Sequence, residues 1–261
     1  MNERILYEAC PLCASSDVTP CAEADCSRHV LYDPRLSPTI RWLGCRACGH
    51  IFTEGYFTDE ACEILFGKTQ AVQQFGAEYE KNRPVAARMI DKVLPFASDG
   101  TWLDIGIGNG ALLLTAQEYG FHPVGTDLRA DNVAVLASLD IEGHAEDIAE
   151  LSLSSPCSVI SMADVLEHMP FPRRGLEAAN RLLGGGGVLF VSMPNKDSML
   201  WQALNGAGNN PYWGEIEHYH NFGRRRLYAL LEEFGFAPRL YGVSERYRVC
   251  MEVVAQKVRD V

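Results

Sequence analysis

Thr101-Trp102-Leu103-Asp104-Ile105-Gly106-Ile107-Gly108-Asn109-Gly110, running on into Ala111-Leu112-Leu113-Leu114-Thr115-Ala116-Gln117-Glu118-Tyr119-Gly120, decides how this 261-residue chain is read. The first half is a short apolar run, read as a buried strand, that ends in a glycine-rich turn. The second half is read as a helix closed by Gly120. A strand, a glycine turn and a helix start bring backbone N–H groups and the positive end of a helix to one spot, which suits a nucleotide-like ligand. Glycines at 106, 108 and 110 let such a ligand approach the backbone with no Cβ in the way.

The following stretches repeat the strand-and-helix alternation of an α/β sheet. Phe121-His122-Pro123-Val124-Gly125-Thr126-Asp127 reads as a second strand ending in an acid, with a helix over Leu128 to Leu136. Asp127 comes seventeen residues after Gly110, about where a βαβ unit places a carboxylate against ribose hydroxyls. Gly143-His144-Ala145-Glu146-Asp147-Ile148 reads as a loop carrying two acids. Ser158 to Met162 is a further apolar strand, followed by Ala163-Asp164-Val165-Leu166-Glu167-His168-Met169-Pro170. A helix ending at Leu182-Leu183, a run of four glycines and the strand Val188 to Asn195 come next.

The pattern Asp104-x-Gly106-x-Gly108-x-Gly110 resembles motif I of the class I S-adenosylmethionine-dependent methyltransferases, and Asp164-Val165-Leu166-Glu167-His168 resembles their motif IV. The resemblance implies a Rossmann-like, seven-stranded α/β sheet and S-adenosyl-L-methionine as cofactor. It implies cofactor contacts at Asp104, Gly106, Gly108, Gly110, Asp127 and Leu128, at Asp147 and Ile148 around the adenine, and at Ala163 and Asp164. A competing fingerprint, Gly106-x-Gly108-x-x-Ala111, also fits a nicotinamide dinucleotide enzyme, but Asp104, the motif IV stretch and the loop acids favour S-adenosylmethionine.

Six of the nine cysteines fall within the first 48 residues, and clustered cysteines without a secretion signal suggest metal before disulfide. Cys10-Pro11-Leu12-Cys13 and Cys45-Arg46-Ala47-Cys48 are two knuckles thirty-one residues apart. Together Cys10, Cys13, Cys45 and Cys48 offer the four thiolates of a structural zinc site, which leaves no open position for catalysis. Residues 1–57 are therefore expected to form a small zinc ribbon-like module held largely by its ion. Residues 58–98 are expected to be linking helices over the cofactor site, one starting at Thr58 and one at Pro84, with Tyr79 as a candidate lining residue. The methyltransferase domain is expected over 99–261.

Residues 195–222 are long, aromatic and turn-rich, and read as a substrate lid. Within them Glu217-His218 is the expected acid–base pair, because an acceptor must lose a proton as it attacks the methyl carbon and histidine titrates near neutrality. His168 is the second candidate base, and holding the lid together is the alternative for His218 and His220. The Glu-His pair and the N-terminal cysteine module together resemble deoxysugar C-methyltransferases, whose helix-starting Ser or Thr stands here as Gly223. Arg224 to Phe234 reads as a helix, and Arg239–Val243 with Val249–Val254 as the hairpin finishing the sheet.

A formal net charge of −11 argues against broad binding to a phosphate backbone. No apolar stretch approaches the ~20 residues of a membrane span, and the start lacks signal-peptide features, so a cytoplasmic protein is expected. The expected function is methyl transfer to a small molecule, such as a sugar or secondary-metabolite intermediate. The alternatives are a zinc-bearing RNA or protein methyltransferase and a binding protein with a vestigial methyltransferase fold. The acceptor, the atom methylated and the oligomeric state stay open.

Overall fold

Burial tracks the apolar runs: Trp102, Leu103, Val159, Ile160, Met162 and Val188 to Val191 are all buried, as expected of central parallel strands covered on both faces. The computed structural model describes residues 3–66 and 73–261; residues 67–72 of the linking segment and the first two of the N-terminal module lie outside the described residues. The chain begins with β1 (Arg4–Leu6), β2 (Val18–Asp25), β3 (Thr39–Cys45), β4 (Ile51–Thr53), β5 (Gly55–Phe57), α1 (Asp59–Phe66) and α2 (Tyr79–Val93). It continues with β6 (Thr101–Ile105), α3 (Ala111–Glu118), β7 (His122–Thr126), α4 (Ala130–Ala137), β8 (Glu142–His144) and β9 (Cys157–Ala163). It finishes with α5 (Pro172–Leu182), β10 (Leu183–Pro194), α6 (Met199–Gly206), β11 (His220–Asn221), α7 (Arg224–Glu233), β12 (Phe236–Val243) and β13 (Cys250–Lys257).

Contacts divide the chain into two compact units: residues 1–70, 167–172 and 194–227 form one, and residues 71–166, 173–193 and 228–261 the other. The second unit holds a mixed sheet of seven strands in the order β12-β13-β10-β9-β6-β7-β8. Strands β6 to β10 pair in parallel, and β12 joins β13 as an antiparallel hairpin. The chain runs outward one way from β6 through β7 to β8, and the other way from β9 to β10. The order therefore reverses between β6 and β9, and the carboxyl ends of strands at such a reversal form a crevice for ligands. Its core includes Met89 and Ile90 of α2, Trp102, Leu112, Phe121, Val159, Phe190 and Val254.

The first unit is built on a four-stranded sheet, β11-β4-β3-β2, and the small β1–β5 ladder. The segment read as a lid is not an open loop: it contains α6, a 3-10 turn at Pro211–Trp213 and β11. β11 pairs with β4, His220 opposite Phe52 and Asn221 opposite Ile51. Trp42 donates from Nε1 to the Trp213 carbonyl at 2.9 Å. Ile216 and Tyr219 are buried in one apolar cluster with Trp42, Phe57 and Leu65. A cluster of this size gives the N-terminal segment an apolar core of its own, besides any metal.

The second linking helix also differs from expectation, since α2 starts at Tyr79 and carries Pro84 inside it. The backbone N–H groups of Lys81 and Asn82 already bond to the Glu78 carbonyl, so the first turn forms ahead of the proline. The edge strand β8 lies within the stretch read as a loop; its polar, half-exposed Glu-Gly-His sequence carries no strand signal of its own.

Candidate functional site

The turn after β6 is built from three residues that need positive φ: Gly106 (70°), Gly108 (51°) and Gly110 (79°). At Gly110 a side chain is excluded twice, because a Cβ there would lie 2.4 Å from the Phe75 ring. Asn109 ties the turn down, accepting from Ala111 N–H at 3.1 Å and donating to the Ala77 carbonyl at 3.0 Å. Phe75 lies against the glycine turn, and Tyr79 donates its hydroxyl to Glu118 at 3.0 Å. Asp104, one strand residue before the turn, is 2 % exposed. It accepts a hydrogen bond from Ser161, which in turn accepts from Trp102 Nε1 at 2.8 Å. Burial pushes the Asp104 carboxyl up to about 7, against the pull of Ser161 and Arg246 and with a further upward push from Asp127.

Asp127 stands just past the end of β7, beside the same turn. Its carboxylate accepts from Arg129 N–H at 2.9 Å, from Arg129 Nη2 at 2.8 Å and from Gly108 N–H at 3.4 Å. Burial raises the Asp127 pKa, but the hydrogen bonds and charge of Arg129 outweigh it and hold the group below its ordinary value. The neighbouring Leu128 leaves an apolar side chain 76 % exposed. Thr126 donates to the Glu146 carbonyl at 2.8 Å, which holds the following acidic loop to β7. In that loop Asp147 is exposed and accepts from Ala149 N–H at 2.8 Å, while Ile148 is buried.

Asp164 follows β9 with φ of 57°, a conformation that costs a non-glycine residue roughly 1–3 kcal/mol unless its surroundings enforce it. They do: Ser192 donates to its carboxylate at 2.6 Å, and Arg246 pairs with it at 2.9 Å while also donating to Ser192. Ala163, the last residue of β9, pairs with Ser192 of β10. The expected cofactor residues of the second unit thus fall at the carboxyl ends of β6, β7 and β9 and in the loop after β8. Arg129 and Arg246 join them there.

In the first unit the four cysteine sulfurs converge, all within 4.8 Å of one another. Cys10 and Cys48 Sγ are 3.7 Å apart, and Cys13 and Cys45 Sγ 3.5 Å. Thiolates about 2.3 Å from a tetrahedral zinc lie about 3.8 Å from each other, so the set matches that ion. Each knuckle is a turn closed by a backbone bond, Ala14 N–H to the Cys10 carbonyl and Gly49 N–H to the Cys45 carbonyl. Ala14 and Gly49 both take positive φ.

The same unit gathers the histidines. His168 Nδ1 donates to the Glu217 carbonyl at 3.1 Å, which leaves Nε2 with its lone pair. The His168 and His218 rings meet edge to face at 4.6 Å. His218 is 7 % exposed and its Nδ1 has no hydrogen-bond partner among the described residues. Burial, with the nearby His168, His29 and His220, holds its pKa well below the ordinary histidine value. Glu167 is buried beside both rings. Glu217 and Glu215 both reach His29, at 3.4 and 2.9 Å. His220 instead anchors backbone. Its Nε2 donates to the Met169 carbonyl at 2.9 Å, so its Nδ1 accepts from His50 Nε2 at 3.0 Å. Burial takes His220 down to about 4. That pair pins the 167–172 segment to the four-stranded sheet.

A family model described as "Methyltransferase domain" matches residues 79–240, more than half of the chain. The chain belongs to the methyltransferase-domain family. Its seven-stranded unit has the class I S-adenosylmethionine-dependent methyltransferase fold. Curated relatives include ubiquinone biosynthesis O-methyltransferases from Erwinia tasmaniensis, 31% identical over 40% of this chain and 47% of the relative, and from Paraburkholderia phytofirmans, 33% identical over 48% and 56%. The chain spans about half the length of the curated relatives it matches. Among solved structures, the Burkholderia thailandensis 1,6-didemethyltoxoflavin-N1-methyltransferase superposes with a TM-score of 0.53, at 20% identity over 70% of this chain and 80% of that one. The N-methyltransferase NodS of Bradyrhizobium japonicum, in complex with S-adenosylhomocysteine, gives 0.50 at 16% identity over 70% and 89%. At these identities the structural likeness concerns the fold.

Proposed function

We propose that this methyltransferase-family chain moves the methyl group of S-adenosylmethionine to a nucleophile on a small-molecule acceptor. The observation that carries the reading is the turn after β6, where three left-handed glycines, the buried Asp104 and the Asp127 carboxylate meet at the reversal of strand order. When bound, S-adenosylmethionine supplies an activated methyl group. Gly106, Gly108 and Gly110 would leave backbone free to approach it. The Asp127 carboxylate, an acceptor only, suits two vicinal ribose hydroxyls that are donors. Leu128 offers an exposed apolar side chain to a purine ring and Asp147 an acceptor for its amino group, while Ile148, whose side chain is buried, is assigned a backbone role in the same loop. Ala163 and Asp164 complete the set at the end of β9.

The acid–base work is assigned to Glu217, His218 and His168. A histidine held neutral by burial is in the form that accepts a proton at neutral pH, and His168 Nε2 carries the free lone pair. Positioning of donor and acceptor supplies most of the acceleration. The four thiolates of Cys10, Cys13, Cys45 and Cys48 are assigned to a structural zinc ion. The negative net charge and the aromatic segment 195–222 support a small acceptor over a nucleic acid. The ubiquinone O-methyltransferase relatives support oxygen as the atom methylated, alongside the carbon suggested by the deoxysugar resemblance.

The test combines binding and turnover. S-adenosylhomocysteine should bind the wild-type chain, and Asp127→Asn should weaken it about 10- to 100-fold, the worth of a charge-assisted hydrogen bond. Transfer of radiolabelled methyl from S-adenosylmethionine to a panel of phenolic, amine and sugar acceptors should disappear in His168→Ala and His218→Ala. Full transfer in both variants would remove the histidine assignment.

A further inference from the structure

We infer that His29, carried by the N-terminal cysteine module, is a positioning residue of the acid–base site: its Nε2–H holds Glu215, beside Glu217, and so fixes the turn that sets the tautomer of His168. This rests on the reading that Glu217, His218 and His168 do the proton work. His29 lies in the turn after β2, between the two cysteine knuckles in sequence, with its N–H bonded to the Cys26 carbonyl and its own carbonyl accepting from Tyr32.

The hydrogen bonds fix its tautomer. Leu31 N–H donates to His29 Nδ1 at 3.3 Å, so Nδ1 is an acceptor and the proton sits on Nε2. That Nε2–H donates to Glu215 Oε2 at 2.9 Å, and Glu217 Oε2 lies 3.4 Å away. The two carboxylates flank Ile216 and repel each other; Glu217 Oε2 lies within ion-pair reach of His29 but has no hydrogen-bond partner among the described residues. Burial works against charging His29, but Glu215 and Glu217 outweigh it and raise its pKa.

The clamp reaches the bases through the backbone. His218 N–H bonds to the Glu215 carbonyl at 3.2 Å, making 215–218 a tight turn. The carbonyl of Glu217 in that turn accepts the proton of His168 Nδ1. Holding Glu215 by its side chain, with Glu217 at ion-pair distance, therefore holds the turn whose Glu217 carbonyl keeps His168 protonated on Nδ1 and basic on Nε2. A partner of this kind on the second ring nitrogen is the usual device for choosing a histidine tautomer. The N-terminal module thereby contributes to the chemistry as well as to stability.

The experiment is a 15N-edited spectrum of the histidine side chains in the zinc-loaded 261-residue chain, comparing wild type, His29→Ala and His29→Gln. In the wild type His168 is expected as a single Nδ1–H tautomer and His29 as a single Nε2–H tautomer. In His29→Ala the two His168 nitrogen resonances should move together toward an average, while zinc content and S-adenosylhomocysteine affinity stay within about twofold of wild type. His29→Gln restores an N–H donor and should restore the separated resonances. An unchanged His168 tautomer in His29→Ala overturns the inference. If His29→Ala does not fold, His29→Gln decides: separated resonances support the clamp and averaged ones overturn it. Methyl transfer surviving in His168→Ala, with the tautomer effect present, would instead remove the base assignment and leave the clamp standing.

Discussion

Asp104→Asn should make the ligand-free protein more stable at alkaline pH, and the gain should vanish in acid. The carboxyl is buried against Ser161 and Trp102, and burial moves it from its ordinary value of 3.8 to about 7. Because the folded state holds this proton more tightly than the unfolded chain, stability falls as pH rises from the unfolded value through the folded one, and the full penalty stands above it. At 1.36 kcal/mol per pH unit the interval corresponds to about 4 kcal/mol. That figure is an upper bound for the variant's gain, because asparagine accepts from Ser161 more weakly than an ionised carboxylate does. The assay is urea unfolding of both proteins without ligand at pH 5 and pH 8. Wild type and variant should differ by roughly 1–2.5 kcal/mol more at pH 8 than at pH 5 in favour of the variant, because only the interval from pH 5 to the folded value lies between the two conditions. A difference that is the same at both pH values would refute the claim that Asp104 is strained by ionising in the core. S-adenosylhomocysteine should bind the variant less well, since the acid is assigned to the cofactor.

Gly110→Ala should lower stability by roughly 1–3 kcal/mol, because its Cβ would press on the Phe75 ring at a φ of 79°; a thermal melt unchanged from wild type would contradict this. Metal analysis should find one zinc per chain, lost in Cys13→Ser or Cys45→Ser, with a lowered melting temperature but a retained apolar core in the first unit, as followed by circular dichroism before and after chelation. His220→Gln should flatten the acid limb of stability. A buried histidine lowered to about 4 stabilises the fold above the unfolded value near 6.5 and loses that contribution as pH falls toward 4. Acid denaturation midpoints of the two proteins measure the effect.

The seven-stranded sheet is largely legible in the sequence because its central strands, such as β6, β9 and β10, are mainly apolar runs, with glycines after β6 and at the start of β10. β8 of that sheet and β2 of the four-stranded one are not, since Glu142–His144 is polar and Val18–Asp25 mixes Thr, Glu and Asp with small residues and a proline, so both gain their strand character from pairing. Pro84 misleads because proline is read as a helix start, whereas α2 has already closed its first turn at Glu78. The cysteine convergence follows from spacing. The pairing of β11 with β4 joins segments about 170 residues apart, and periodicity carries no such information. For the same reason His29 gives no signal: it is a single histidine in a turn-rich stretch, 186 residues from Glu215. Arg129 and Arg246 are side chains whose importance lies in the partners they reach, Asp127 and Asp164, and the fold alone brings the second pair together.

If the glycine turn after β6 receives S-adenosylmethionine, titration calorimetry with S-adenosylhomocysteine and, separately, with a nicotinamide dinucleotide tests this most directly. The expected result is saturable one-to-one binding of S-adenosylhomocysteine, weakened by Asp127→Asn, and no heat from the dinucleotide. Binding of the dinucleotide alone, or of neither, would contradict it.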